Sequence, residues 1–439
     1  MESKFSRRNW TVLLIFGLIG QIAWAVENMY FNLFVFETIS QDLGAITLMV
    51  QLSGIAATFV TLIAGTLSDK VGNRRLFISI GYIIWGLTVI LFGFISTDTA
   101  QKLFDMSYDS AVKLCLYAVI IGDCVMTLFG STSNDAAFSA WVTDNTENSY
   151  RGKVESVLAI LPLAAMLIVA GGFGILVGIM GYKYLFLTLG ALISICGIIG
   201  IFIINDSEKL KKSGTLRDMI YGFRPSTVRS NKAFYISLVI LAVYGISCQI
   251  FMPYLIIYMK TYLSFSVVEY SVVFGLAIAL GAVINIFLGK LSDRIDKVGA
   301  IYVAAGIFAA GLFAMYLAKD MGHIANIILF GLSGFIMICG YIYVSALSGA
   351  IVRDYTPDGE AGKLQGVRMI FAVLIPMLAG PAIGNAINAA ANIPLPDAGA
   401  DAMTTSYIPS PAIFLAAALV SLLIFALVPI LAKFTKCEK

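Results

Sequence analysis

Twelve apolar stretches, each bounded by charged residues or turn clusters, account for most of this chain. They run at about 10–36, 44–67, 75–95, 112–140, 154–179, 182–204, 233–258, 266–291, 298–318, 323–352, 363–390 and 411–434. About 20 apolar residues in a helix cross the hydrocarbon core of a bilayer. Only helices and closed barrels satisfy their own backbone groups there, and runs this long and continuous read as helices. The 439 residues are 59% hydrophobic and 13% charged, against about 45–50% apolar and 25% charged in soluble domains. The expected fold is therefore all-α and integral to a membrane, in contact with the lipid bilayer. Intrinsic disorder, a nucleic-acid-binding module and a disulfide-built secreted scaffold are excluded by the same figures.

The first stretch begins at Trp10 and carries Glu27. It is longer than the 7–15-residue apolar core of a signal peptide, so it reads as a retained span. Alternating the loops across the bilayer puts 24 of the 29 Lys and Arg on the side that holds both termini, and 5 on the other. The basic side stays cytoplasmic, so both termini are expected inside, in an inner or plasma membrane. The six cysteines show no CxxC spacing and His323 is the single histidine. No metal site, cofactor or catalytic nucleophile–His arrangement is expected from that set.

The chain repeats itself. Residues 65–72, with Ser68 and Asp69, recur from 289 with Ser292 and Asp293, an offset of 224. Asp144, Gly152 and Lys153 recur as Asp354, Gly362 and Lys363, and the pair Ala170 and Gly174 as Gly380 and Gly384, all at an offset of 210. The 14 extra residues fit the longer hairpin at 96–111 of the first half. The polar interval 205–232, with seven Lys or Arg, reads as a cytoplasmic linker between six-helix bundles at 1–204 and 233–439. Parallel six-helix repeats of this kind are one of the plans on which membrane carriers are built.

The stretch from Gly65 to Arg75 resembles the signature loop of the major facilitator superfamily, and the stretch from Gly289 to Gly299 resembles its degraded second copy. The run from Ala23 to Tyr30 is similar to the first-helix motif of proton-coupled sugar carriers related to sucrose transporters, with the glycoside–pentoside–hexuronide symporters next. The resemblance implies a secondary active transporter, not an enzyme. It would be a monomer moving a small solute, a sugar or glycoside, by alternating access through a polar cavity between the halves. It assigns Asp69, Arg74 and Arg75, with Asp293 and Arg294 in the second copy, to a gate that latches the second helix to the eleventh. A proton-antiporting exporter of amphipathic compounds, a lipid or lysolipid transporter and a non-transporting receptor share the architecture. The fifth span reads Ala170-Gly171-Gly172-Phe173-Gly174, where antiporters of the superfamily carry Gly-Pro-Gly-Gly, which favours symport.

A charge at the centre of a span costs about 2.5–3.5 kcal/mol on insertion scales, so an intramembrane acid marks function or a partner. Glu27 in the first span and Asp123 and Asp135 in the fourth are such acids. Asp123, Thr127, Ser131 and Asp135 recur every four residues, which makes one polar stripe on an ideal helix. A buried hydrogen-bonded seam is the competing reading of that stripe. A carboxyl withdrawn from water readily takes a proton, so these three are the expected coupling groups, with sodium as the competing ion. The sucrose branch carries glutamine, proline and arginine where this chain has Asp135, Ala137 and Ser139, so the motif does not carry the disaccharide over. Asn28 and Asn134 beside the acids, and Tyr244, Gln249, Asn285, Tyr341 and Arg368 in the second half, are the expected solute contacts. Aromatic faces stack on sugar CH groups while amides bond the hydroxyls, although packing and interface belts use the same residues.

Overall fold

The computed structural model describes residues 5–147, 151–207, 221–292, 297–319, 321–357, 361–395 and 407–436. The side chain of Asp69 and the whole of Asp293 and Arg294 lie outside the described residues. Apart from an isolated bridge between Pro394 and Tyr407, the described regular structure is helical. The spans are α1 Arg7–Thr38, α2 Leu43–Val71, α3 Arg74–Phe92, α4 Tyr108–Asn145, α5 151–180, α6 182–203, α7 Lys232–Thr261, α8 Val267–Ser292, α9 Lys297–Leu317, α10 His323–Asp354, α11 Leu364–Ala391 and α12 Ala412–Lys436.

Among the described residues, 11 helices suit a membrane crossing by length and composition, because the fifth and sixth run on as one 48-residue segment. Gly181 breaks that segment with φ 74° and ψ 166°. This left-handed conformation is open to glycine and costs other residues strain, so the chain turns there and twelve spans result. The extra residues of the first hairpin form a short helix, Thr97–Phe104, capped by Ser96 and closed by Asp105 at φ 50°. Large apolar side chains such as Leu91, Ile121, Phe202 and Phe287 stand more than 60% exposed. On a water-soluble surface so many would be a liability; on a spanning bundle they face lipid.

The chain divides into two compact units. The first comprises Met1–Ser40 and Ile55–Leu216, and the second Gln41–Gly54 and Arg217–Lys439. The start of α2 thus packs with the second unit, where Thr47 Oγ1 lies 2.7 Å from the Tyr254 hydroxyl and Gln51 Nε2 donates to the Leu378 carbonyl at 2.8 Å.

Inside each unit the same partners recur. In the first, α3 packs on α6 and on α4, and α1 on α5; in the second, α9 packs on α12 and on α10, and α7 on α11. The repeat extends to single residues. A Cβ on Gly130 of α4 would fall 2.9 Å from the Trp85 ring, and one on Gly340 of α10 would overlap the Phe308 backbone. Gly130 and Gly340 are 210 apart, and Trp85 and Phe308 are 223 apart. Arg74 at the start of α3 pairs with Asp144 near the end of α4 at 3.1 Å, and Lys297 at the start of α9 pairs with Asp354 at the end of α10 at 2.6 Å. Small residues set the helix spacing, so they recur wherever the same crossing recurs.

Candidate functional site

The intramembrane acids of the first unit lie along the facing sides of α1 and α4, Glu27 and Asp123 at one level and Asp135 at another. These helices run antiparallel and touch at three levels. Thr127 Oγ1 donates to Glu27 Oε1 at 3.2 Å. The Trp24 ring reaches to 3.0 Å from where a Gly130 Cβ would stand. A Cβ on Gly20 would overlap Asn134 Oδ1 and lie 2.6 Å from the Tyr82 hydroxyl. As α1 steps back from 27 to 24 to 20, α4 advances from 127 to 130 to 134. Residues three and four apart share a helix face, so this is one continuous seam.

Both helices depart from α geometry along it. Glu27–Phe31 forms a π-helical turn in α1, and Ser131–Phe138 a longer π-helical stretch in α4. Such turns are rare and frequently fall at functional sites; two more, Val169–Phe173 in α5 and Ile370–Leu374 in α11, belong to helices outside this seam. The one in α4 also alters the expected stripe. Asp123, Thr127 and Ser131 are 2%, 1% and 0% exposed on one face, but Asp135 is partly exposed. Widening from i→i+4 to i→i+5 bonding carries the fourth position off the line that an ideal helix would hold.

Glu27 is buried. Asp123 is also buried, one turn from Thr127, and the Cys124 thiol lies near both acids. Asp135 accepts from Asn134 Nδ2 at 3.3 Å and lies against Ser131, the Trp24 indole and, across α3, Tyr82. Asn134 is buried beside Tyr82, whose hydroxyl lies 2.7 Å from the Phe16 carbonyl and 3.0 Å from Asn134 Oδ1. The single hydroxyl proton goes to the nearer acceptor, which ties α3 to α1. Asn28 is exposed and donates to the Trp24 carbonyl of its own helix at 2.8 Å. Trp24, Tyr82 and Gly20 were not singled out from the sequence. Trp24 and Gly20 precede Glu27 by three and seven residues, the spacing of one helix face, and that was the available signal.

In the second unit the corresponding seam is aromatic. Tyr244 of α7 is buried, and its hydroxyl donates to the Tyr341 carbonyl of α10 at 2.9 Å. Its ring lies 5.8 Å from that of Tyr341 and 5.7 Å from that of Phe308. Gln249 is partly exposed, where Gly380 of α11 lets α7 approach so closely that an added Cβ would overlap the Gln249 Cβ. Asn285 bridges α8 to α10 through the Gly281 and Cys339 carbonyls at 2.9 and 3.2 Å. Arg368 is exposed near the start of α11.

At the loop end of the first unit, Arg74 is buried, pairs with Asp144 and donates to Ser68 Oγ at 2.6 Å. Arg75 is exposed, and its backbone N–H is held by Asp206 at 3.0 Å. Arg8 donates to the Ile203 and Phe202 carbonyls, both at 2.7 Å, and so satisfies the C-terminal carbonyls of α6.

Comparisons with known proteins agree with this architecture. The profile of the Major Facilitator Superfamily matches residues 13–381. An uncharacterised MFS-type transporter, YkuC of Bacillus subtilis (strain 168), is 29% identical over 100 residues, 23% of this chain and 23% of that relative's length. The nucleoside transporter NupG superposes with a TM-score of 0.68 at 14% identity, covering 96% of this chain and 98% of its own. A bacterial homologue of the iron transporter ferroportin in its outward-facing state does so at 0.64 and 14% identity, covering 98% and 100%. A bacterial homologue of the human lysosomal transporter Spinster gives 0.65 at 13% identity, covering 97% and 96%. At such identities the likeness is one of fold. With that fold, the repeat and a family profile matched over most of its length, the chain belongs to the Major Facilitator Superfamily of membrane transporters.

Proposed function

We propose that this transporter is a proton-coupled symporter of a sugar or glycoside, working by alternating access as a monomer in an inner or plasma membrane, with both termini in the cytoplasm. The observation that supports it most is the buried Glu27 carboxyl, hydrogen-bonded by Thr127 with Asp123 one turn away. A carboxyl there is costly as a bare charge. Taking a proton removes that charge, so the helices can move without dragging an unpaired ion through apolar surroundings. On this reading Glu27, Asp123 and Asp135 handle the proton. Asn28, Tyr244, Gln249 and Tyr341 then offer the solute the mixture of amide and aromatic surface that sugars bind.

The test is accumulation by proteoliposomes in sodium-free medium after a pH step, with a panel of monosaccharides, disaccharides and nucleosides. One of these should accumulate, and Glu27→Gln should abolish accumulation while leaving downhill exchange. Accumulation that needs sodium, or solute leaving as protons enter, would replace proton symport with sodium coupling or antiport.

A further inference from the structure

The coupling groups stand at two levels of one seam, and an acid deep in a bundle is useful only if its proton can leave. Thr127 already touches Glu27. One turn further along α4 is Ser131, 0% exposed, whose hydroxyl has no hydrogen-bond partner among the described residues. It lies against the Asp135 carboxyl without hydrogen-bond geometry, as does the indole N–H of Trp24 from α1. The indole N–H of Trp85, 0% exposed and packed on the Trp24 ring at 5.1 Å, also has no partner among the described residues. Buried polar groups are nearly always satisfied, so such exceptions call for an explanation. Here two of them, the Ser131 hydroxyl and the Trp24 indole, face the Asp135 carboxyl, which is partly exposed.

We propose that Ser131 is a proton-relay residue, passing the coupling proton between the Glu27 level and Asp135. This rests on the proton-coupled reading above. The Thr127 hydroxyl donates to the Glu27 carboxylate and, once that carboxylate is protonated, turns to accept from it. When the Glu27 O–H breaks, Thr127 Oγ1 takes that proton as it gives its own to a water. Thr127 and Ser131 stand four residues apart, about 6 Å along the axis, a span closed by one water accepting from the first and donating to the second. Ser131 then passes its own proton to the Asp135 carboxylate, so each O–H broken is matched by one formed and nothing is oxidised. Trp24 and Trp85 supply donors that orient the water and the waiting carboxylate.

The groups facing the path are Asp123 and Cys124 at the Glu27 end, and Asn134, Trp24 and Tyr82 at the Asp135 end. Asp135 lies nine residues before Asp144 on α4, about 14 Å from the end that carries the Arg74 pair. The π-helical stretch begins at Ser131, and its turned-out geometry delivers Asp135 to a partly exposed position.

The test compares wild type, Ser131→Ala, Ser131→Thr and Ser133→Ala in proteoliposomes carrying a trapped pH dye. The Ser133 hydroxyl already donates to the Phe129 carbonyl at 2.7 Å. Solute-coupled proton influx after a pH step should fall about a hundredfold in Ser131→Ala, the low end of what a positioned proton-transfer group supplies. Ser131→Thr should restore it, Ser133→Ala should match wild type, and all should retain solute counterflow, which needs no net proton movement. The solvent deuterium isotope effect on influx should grow in Ser131→Ala. Wild-type influx in Ser131→Ala, or loss of counterflow together with influx, overturns the relay. A wild-type protein that moves solute with no proton influx sinks the symport reading itself, and the relay with it.

Discussion

Arg74 Nε lies 3.1 Å from Asp144 Oδ2, with the guanidinium side chain 6% and the carboxylate 26% exposed. Its counterpart in the repeat, Lys297 with Asp354 at 2.6 Å, has side chains 48% and 49% exposed. The topology repeats but the electrostatic worth does not. Breaking a buried pair leaves one charge unsolvated and costs about 3 kcal/mol or more, whereas an exposed pair is worth about 0–1 kcal/mol. Asp144→Asn should therefore lower the unfolding temperature in detergent clearly, and Asp354→Asn hardly at all. Equal shifts would show that burial does not set the difference.

Gly20 is where α1 comes closest to Asn134 and Tyr82. Gly20→Val places carbon where Asn134 Oδ1 and the Tyr82 hydroxyl already stand, within 2.6 Å, and overpacking of this kind costs about 1–3 kcal/mol. Gly349, in the helix α10, has nothing within 4 Å of an added Cβ. Gly349→Ala should be neutral or stabilising by roughly 0.5–1 kcal/mol, the helix cost of glycine. Thermal unfolding of both variants checks the contrast, and a stable Gly20→Val protein would mean that the seam can open without penalty.

The 24-to-5 division of basic residues sets the expected sidedness. If both termini are cytoplasmic, as proposed, a cysteine replacing Lys102, exposed at the first hairpin, should react with an impermeant thiol reagent added outside right-side-out vesicles. One replacing Arg229, exposed before α7, should react only after the vesicles are opened. The reverse pattern would invert the topology.

The resemblance to the signature loop implies that Asp69 acts as a gate residue at the end of α2. A charge at a helix end is worth about 0.3–1 kcal/mol. Asp69→Asn should therefore change the transport rate several-fold while solute affinity stays near wild type. Unchanged rate and unchanged accessibility from both sides would leave Asp69 a turn residue.

Spans, repeat and acids were legible in the sequence because each depends on quantities that sum along the chain. Hydropathy over 20 residues decides insertion. Loop charge sets the expected orientation, and the price of a buried carboxylate singles out Glu27, Asp123 and Asp135 wherever they are placed. The offset of 210 between Asp144 and Asp354 likewise needed no coordinates. Tertiary structure decided which of these residues meet. Thr127 reaches Glu27 across 100 residues of chain and Arg74 reaches Asp144 across 70, pairings that hydropathy cannot register. It also decided the π-helical turns at Glu27 and Ser131, because the choice between i→i+4 and i→i+5 bonding is made by what the helix packs against. That choice takes Asp135 off the stripe formed by Asp123, Thr127 and Ser131, and leaves the Ser131 hydroxyl and the Trp24 indole against its carboxyl.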